Sequence, residues 1–216
     1  MLRLIGTREA DRPPKVAPSA MPGDPLRALV SRAVAGEAGA ERTLLIAVGP
    51  AILAIVRRVI GPSSSDVDDV CQESAIALLT ALPTFRAECS VLHFACRVAL
   101  LTALSARRRA RYHSILRADD STEPDHFIDD QPSPAELLDA ARRRRTLREL
   151  LDALPMAQAE VLALHVVLGY TVEETSAMTN AQLNTVRSRL RRALAALRVA
   201  LGGGSSSGHV HGGRDD

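Results

Sequence analysis

"AMTNAQLNTVRSRLRRALAALR", residues 177–198, decides how the second half of this chain folds, and "YTVEET", residues 170–175, lies just upstream of it. Leu183, Val186, Leu190, Leu194, Leu197 and Leu201 recur at steps of three and four. At about 100° per residue that spacing gathers them on one stripe of a helix. Asn184, Arg187, Ser188, Arg191 and Arg198 fall together on an adjoining face. Upstream, Thr171 and Glu174 have the spacing of a capping box and open a short helix that ends near Met178. Asn180, in the turn "TNAQ", is a residue type that tolerates positive φ. A short capped helix, a tight turn and a longer helix from about Ala181 to Leu201 together describe a helix-turn-helix. Arginine and asparagine are also the side chains that read guanine and adenine edges in the major groove. Taken alone, the segment equally permits a solvated basic coil or a partner-binding helix, so the rest of the chain has to choose.

Working outward, Met156–Leu168 reads as a short helix stopped by Gly169. Before it, Ser133, Pro134 and Glu136 form a capping box with a proline start, opening a helix that runs to Pro155. Residues 118–132, "ADDSTEPDHFIDDQP", hold six carboxylates and no basic residue. Their low apolar content and like charge predict a flexible acidic linker between two helical units. In the first unit, the pattern from Pro25 to about Gly61 is helical, with Ile52, Ile55, Val56 and Val59 on one face. "GPSSS" breaks it, and a second helix is expected from Asp66 to about Leu82 with carboxylates in its first turn. "LPTFRAECS", 82–90, reads as a loop. "VLHFACRVALLTALSARRRARYH", 91–113, reads as a third helix ending in the cluster Arg107, Arg108, Arg109 and Arg111. Prolines 13, 14, 18 and 22 predict a flexible arm over 1–24, and "GGGSSSGHVHGGRDD", from 202 on, a flexible tail.

Composition supports an all-α chain of two small helical domains, 25–117 and 133–201. Of 216 residues, 46% are hydrophobic but only 2% aromatic, and alanine, leucine and arginine dominate, which favours helix over strand. The net charge of +2 hides the opposed acidic and basic segments. No sustained apolar run opens the chain. "TLLIAVGPAILAIV", 43–56, is shorter than the ~20 residues of a spanning helix and is interrupted by Gly49-Pro50. Cys71, Cys89 and Cys96 lack metal-type spacing and read as reduced thiols of a cytoplasmic protein. His93, His113 and His165 have no carboxylate at ligand spacing, and His209 and His211 read as part of a solvated tail. The chain carries no nucleophile elbow, no zinc-protease motif and no glycine-rich nucleotide loop. No enzyme activity, cofactor, metal or small-molecule substrate is therefore expected.

Both units resemble the extracytoplasmic-function group of bacterial RNA polymerase sigma factors, over about residues 41–112 and 136–199. The second unit is similar to sigma region 4 in Leu154-Pro155, Gly169, Glu173-Glu174 and the run "NTVRSRLRRA", whose Thr185–Leu190 match the recognition helix. The first unit resembles region 2 in "DVDDVCQES", with Asp66, Asp69, Gln72 and Glu73 at matching positions, followed by "FACRVALLTALSARRR". Phe94 stands where that family usually has Trp, and Leu101 where it has Asn. Thr175, Ser176 and Thr179 replace Ile, Ala and Leu within the helix-turn-helix, and hydroxyls buried there need partners.

The resemblance implies a transcription initiation factor without catalytic activity. Asp66, Asp69, Gln72 and Glu73 would dock on the clamp helices of the largest subunit of core RNA polymerase. Phe85 and Arg86 of the loop, with Arg107, Arg108, Arg109 and Arg111, would hold the −10 strand. Gln182, Asn184, Thr185, Arg187, Ser188 and Arg191 would read the −35 duplex of the promoter DNA. An anti-sigma factor is a further partner the resemblance implies. A stand-alone helix-turn-helix regulator is the alternative; it accounts for 155–201 but leaves "DVDDVCQES" and the 107–111 cluster without a purpose. A helical adaptor whose basic faces bind acidic proteins is a third reading.

Overall fold

The computed structural model describes residues 24–62, 64–117 and 134–202, and the arm, the acidic linker, Ser133 of the expected capping box and the tail lie outside them. Within these residues the regular structure is entirely helical. The first unit comprises α1 (Leu26–Val34), α2 (Ala40–Ile60), α3 (Val67–Ala81) and α4 (Val91–Arg117). The second comprises α5 (Pro134–Ala153), α6 (Met156–Leu162), α7 (Val172–Thr179) and α8 (Leu183–Gly202).

The single helix expected between Pro25 and Gly61 is two. Gly36 and Gly39 adopt φ of +75° and +81°, a left-handed backbone that side chains with a Cβ resist. They turn the chain between α1 and α2. Nothing lies within 4 Å of a Cβ built at either position, so backbone conformation rather than crowding accounts for glycine there. Pro50, by contrast, sits inside α2 without ending it. Leu44, Val48, Ile52, Ile55, Val56 and Val59 of α2 are buried, at the steps of three and four that an amphipathic helix needs. By length and composition alone α2 could cross a membrane; here α1, α3 and α4 pack around it.

Asp24, assigned above to the arm, instead fixes two helix starts. Its Oδ1 accepts from the Leu26 backbone N–H at 3.0 Å and its Oδ2 from that of Val91 at 2.7 Å. One carboxylate thus satisfies donors that α1 and α4 leave unpaired at their first turns. In the second unit, α6 runs on into a π turn at Ala163–Val167 before Gly169 (φ +76°) reverses the chain. Leu151, Val161, Leu162, Leu164, Met178, Val186 and Leu197 are buried between α5, α6, α7 and α8. Each such side chain contributes about 1.5–3 kcal/mol by leaving water. The two units touch where α4 meets α5 and α7.

Candidate nucleic-acid interface

The helix-turn-helix is built as its residues require. Thr171 Oγ1 accepts from the Glu174 backbone N–H at 3.1 Å, and Glu174 Oε2 accepts from that of Thr171 at 2.6 Å. This reciprocal pair closes the capping box and starts α7. Asn180 ends α7 in the left-handed conformation, φ +50°. The hydroxyls that replace apolar groups in α7 all find acceptors. Thr175 donates to the Thr171 carbonyl at 2.8 Å, Thr179 to that of Thr175 at 2.7 Å and Ser176 to that of Ala181 at 2.7 Å. Burying Thr175 and Thr179 therefore orphans no polar atom.

Val186, Leu190, Ala193 and Leu197 hold α8 on the core. Gln182, Asn184, Arg187 and Arg191 are exposed, and Thr185 and Ser188 half-buried. Ser188 Oγ donates to the Thr185 carbonyl at 3.0 Å. Arg187 lies 3.8 Å from Glu173 of α7 with both side chains largely in solvent, a contact worth little by itself. The α8 face is thus polar, cationic and open.

On α3, Val67, Val70, Ser74 and Leu78 face the core. The opposite side presents Asp69, Gln72 and the exposed Ile76, with Asp66 exposed at the helix start. Glu73 accepts from Arg109 of α4 at 2.6 and 2.8 Å. Two residues expected to meet different partners are therefore paired with each other.

The loop after α3 begins with a 3-10 turn, Leu82–Thr84. Phe85 turns half inward, its ring centroid 5.1 Å from that of Phe94, while Arg86 is exposed. Ala87 adopts φ +58° and its carbonyl accepts from Arg27 at 2.9 Å, pinning the loop to α1.

The arginines at the end of α4 differ from one another. Arg107 donates to both carboxylate oxygens of Asp152 at 3.1 and 2.9 Å and to the Val59 carbonyl at 3.2 Å. Arg108 donates to the carbonyls of Leu151 and Leu154 at 3.1 and 2.6 Å. Arg111 is exposed and reaches the Glu149 carbonyl at 3.5 Å. Sequence reading missed two residues here, Arg97 and Glu160, which pair at 2.6 Å with Glu160 buried. A charge within the apolar run "HFACRVALL" was the signal.

Around the same contact, His93 and Tyr170 meet edge to face with centroids 5.3 Å apart. Burial pushes the thiols of Cys89 and Cys96 up to about 11. It also raises the Tyr170 phenol beside Cys96. Thiols held protonated in this way are poor nucleophiles and poor metal ligands. Among the described residues no group of three His, Cys, Asp or Glu side chains is placed to hold a metal ion.

Comparison with known proteins adds to this geometry. The family model "Sigma-70 region 2" matches residues 44–112 and "Sigma-70, region 4" matches 144–197. The chain is 32% identical over 192 residues to the ECF RNA polymerase sigma factor SigD of Mycobacterium tuberculosis, covering 85% of this chain and 88% of the relative. It is 34% identical over 177 residues to the ECF RNA polymerase sigma factor ShbA of Streptomyces griseus, covering 80% and 93%. Among solved structures, CnrH in complex with the cytosolic domain of CnrY is similar at 24% identity and a TM-score of 0.48, covering 83% of this chain and 98% of that one.

Proposed function

This chain belongs to the extracytoplasmic-function group of bacterial RNA polymerase sigma factors, and from that premise we propose how its two units divide the work. It is an alternative sigma factor that binds core RNA polymerase and directs it to promoters. A stand-alone regulator is set aside, because region 2 and region 4 sequences occur in order along one chain.

The open polar face of α8 carries the proposal. Asn184, Arg187 and Arg191 are exposed on a helix held by a capped α7 and a left-handed Asn180. In this reading they enter the major groove of the −35 element, where one bidentate arginine–guanine contact contributes about 1–3 kcal/mol of base discrimination. Gln182, Thr185 and Ser188 flank them. Asp66, Asp69 and Gln72 would offer carboxylate and amide groups to the polymerase clamp helices, with Glu73 joining them when Arg109 releases it. Arg86, Arg107, Arg108, Arg109 and Arg111 would take the phosphates of the −10 strand, giving affinity that falls with salt. Phe85 would have to leave Phe94 to stack on a base. The factor acts in the cytoplasm as a polymerase subunit, without chemistry of its own. An anti-sigma partner is proposed on family membership alone.

Run-off transcription with bacterial core polymerase on genomic DNA, with and without the protein, tests this reading. Discrete starts that depend on the protein and share −35 and −10 sequences are expected. Tight duplex binding with no such starts would overturn it.

A further inference from the structure

The loop assigned above to the −10 strand is held from α1. Asp24 Oδ2 accepts from the Val91 backbone N–H at 2.7 Å, where α4 begins. Arg27 Nη2 donates to the Ala87 carbonyl at 2.9 Å, four residues earlier in the loop. Both anchors come from one turn of chain, closed by the Arg27 backbone N–H donating to the Asp24 carbonyl at 3.1 Å. The stretch Ala87–Val91 is thus fixed at each end. Ala87 itself has φ +58°, a conformation that a residue with a Cβ resists and that persists only where its surroundings impose it. Arg27 Nε is buried without a partner, a cost that calls for an explanation. Satisfying its own donors does not explain where this guanidinium sits; holding Ala87 does. The exposed Arg86 directly precedes Ala87, and Phe85 before it rests on Phe94.

We propose that α1 is a positioning element for −10 recognition, in which Asp24 and Arg27 fix the Ala87–Val91 backbone so that Phe85 and Arg86 are set before the strand arrives. The inference rests on the assignment of this loop to −10 DNA. The residues that match sigma-70 region 2 begin at 44, after α1, so that match gives Asp24 and Arg27 no role. A base drawn from its stack already costs unstacking free energy. A loop that had to be ordered in the same step would add its own entropy loss. A loose loop would also re-pack around a wrong base, as promiscuous binding surfaces do. Holding the backbone beforehand removes the first cost and denies the second adjustment. Asp24 and Arg27 touch no base in this role; both act through the loop backbone. Their loss therefore changes which −10 base is chosen and leaves the −35 contact as it is.

The test uses the full chain. Arg27→Met keeps an unbranched stem and removes the donor, Arg27→Lys restores a charged donor, and Asp24→Asn keeps one acceptor oxygen of the two. In the free protein, hydrogen exchange read by mass spectrometry should quicken over residues 85–91 in Arg27→Met and slow again in Arg27→Lys. Exchange over α7 and α8, and helix content by circular dichroism, should not change. With bacterial core polymerase, run-off competition among templates carrying each base at each −10 position reads the preference. Arg27→Met should flatten it by about fivefold at one or two adjacent positions, the weight of one side chain held or released. Asp24→Asn should flatten the same positions by a smaller factor, and Arg27→Lys should restore them in part. Unchanged exchange over 85–91 in Arg27→Met, or a −10 preference left intact, would overturn the positioning role alone. A loss spread evenly over all templates, with a shallower salt dependence, would overturn it too and make Arg27 a phosphate contact. Wild-type holoenzyme that starts no transcription would instead strike the sigma-factor reading on which the proposal rests.

Discussion

Helices α4 and α8 are both rich in arginine, and what separates them is the company their guanidinium groups keep. On α8, Arg187 and Arg191 are exposed, and Arg187 meets the Glu173 carboxylate only loosely, at 3.8 Å. On α4, Arg107 spends three donors on protein acceptors and Arg108 bridges two carbonyls. In the proposed reading the same residue type meets DNA from one helix, while in the other it clasps the two units together. Exposure, more than composition, separates the two sets of arginines.

The contrast is broken most forcefully by truncation. Arg107→Ala leaves Asp152 buried without its cation, a change that costs about 3–5 kcal/mol while the contact stays shut. If the units part, Asp152 regains water and the loss appears as an early opening step in place of global unfolding. Arg191→Ala, at an exposed position, should stay within about 0.5 kcal/mol. Urea denaturation of the full chain followed by circular dichroism and by scattering measures both. Equal losses would mean that the two arginine sets are not different in kind.

Promoter selection should reverse the order. Arg187→Ala is expected to cost about 1–3 kcal/mol of discrimination at one −35 base pair, with core polymerase binding unchanged. Competition gel shifts with single-base variants of the duplex would resolve it. A uniform loss over all variants would make Arg187 a phosphate contact, with a shallower salt dependence as its mark.

A smaller effect compares the caps. Thr171 Oγ1 accepts from Glu174 at 3.1 Å to start α7, and Ser90 Oγ accepts from the His93 backbone at 3.1 Å to start α4. Each alanine replacement should destabilise by about 1 kcal/mol. Thr171→Ala should carry a −35 binding loss with it, because α7 sets the seat of α8. Ser90→Ala should leave duplex binding as it is. Thermal melts and duplex titrations of the two variants separate stability from recognition.

The elements of both helices were legible in the sequence because their signals are local. The Thr171–Glu174 box, Asn180 and the leucine steps of α8 lie within a few turns of one another, and the structure places them as expected. The break between α1 and α2 went unread, although Gly36 and Gly39, three apart in "AGEAG" with no large apolar residue beside them, were a local turn signal. Phe85 read as a loop residue and is half turned onto Phe94, a partner in the next helix. The clasp was harder still. Arg107 and Asp152 are 45 positions apart, and Arg97 and Glu160 are 63 apart, so no periodicity connects them. What the sequence offered was a charge in an apolar run, which signals that a partner exists without saying where.

The mildest perturbation of the clasp is a change of pH, acting through His93. Its imidazole is buried against Tyr170, and burial holds its pKa below the ordinary value, an effect that the carboxylates of Glu174 and Asp24 only partly offset. Nearby, Arg97 is already paired with Glu160, and burial keeps the Cys96 and Cys89 thiols protonated. Above the usual imidazole range of about 6.5, His93 is neutral both in the fold and when exposed, and the full stability is present. As pH falls, the exposed form takes up a proton before the buried form does, so stability declines through that range and on toward the depressed pKa. The urea midpoint of the wild-type protein should therefore drop between about pH 8 and pH 5, where histidine is the side chain that titrates. His93→Phe keeps a ring against Tyr170 and removes the titration, so its midpoint should drop less over the same range. Parallel declines in the two proteins would place the pH sensitivity outside this contact and leave α4 and α8 distinguished by their ion pairs alone.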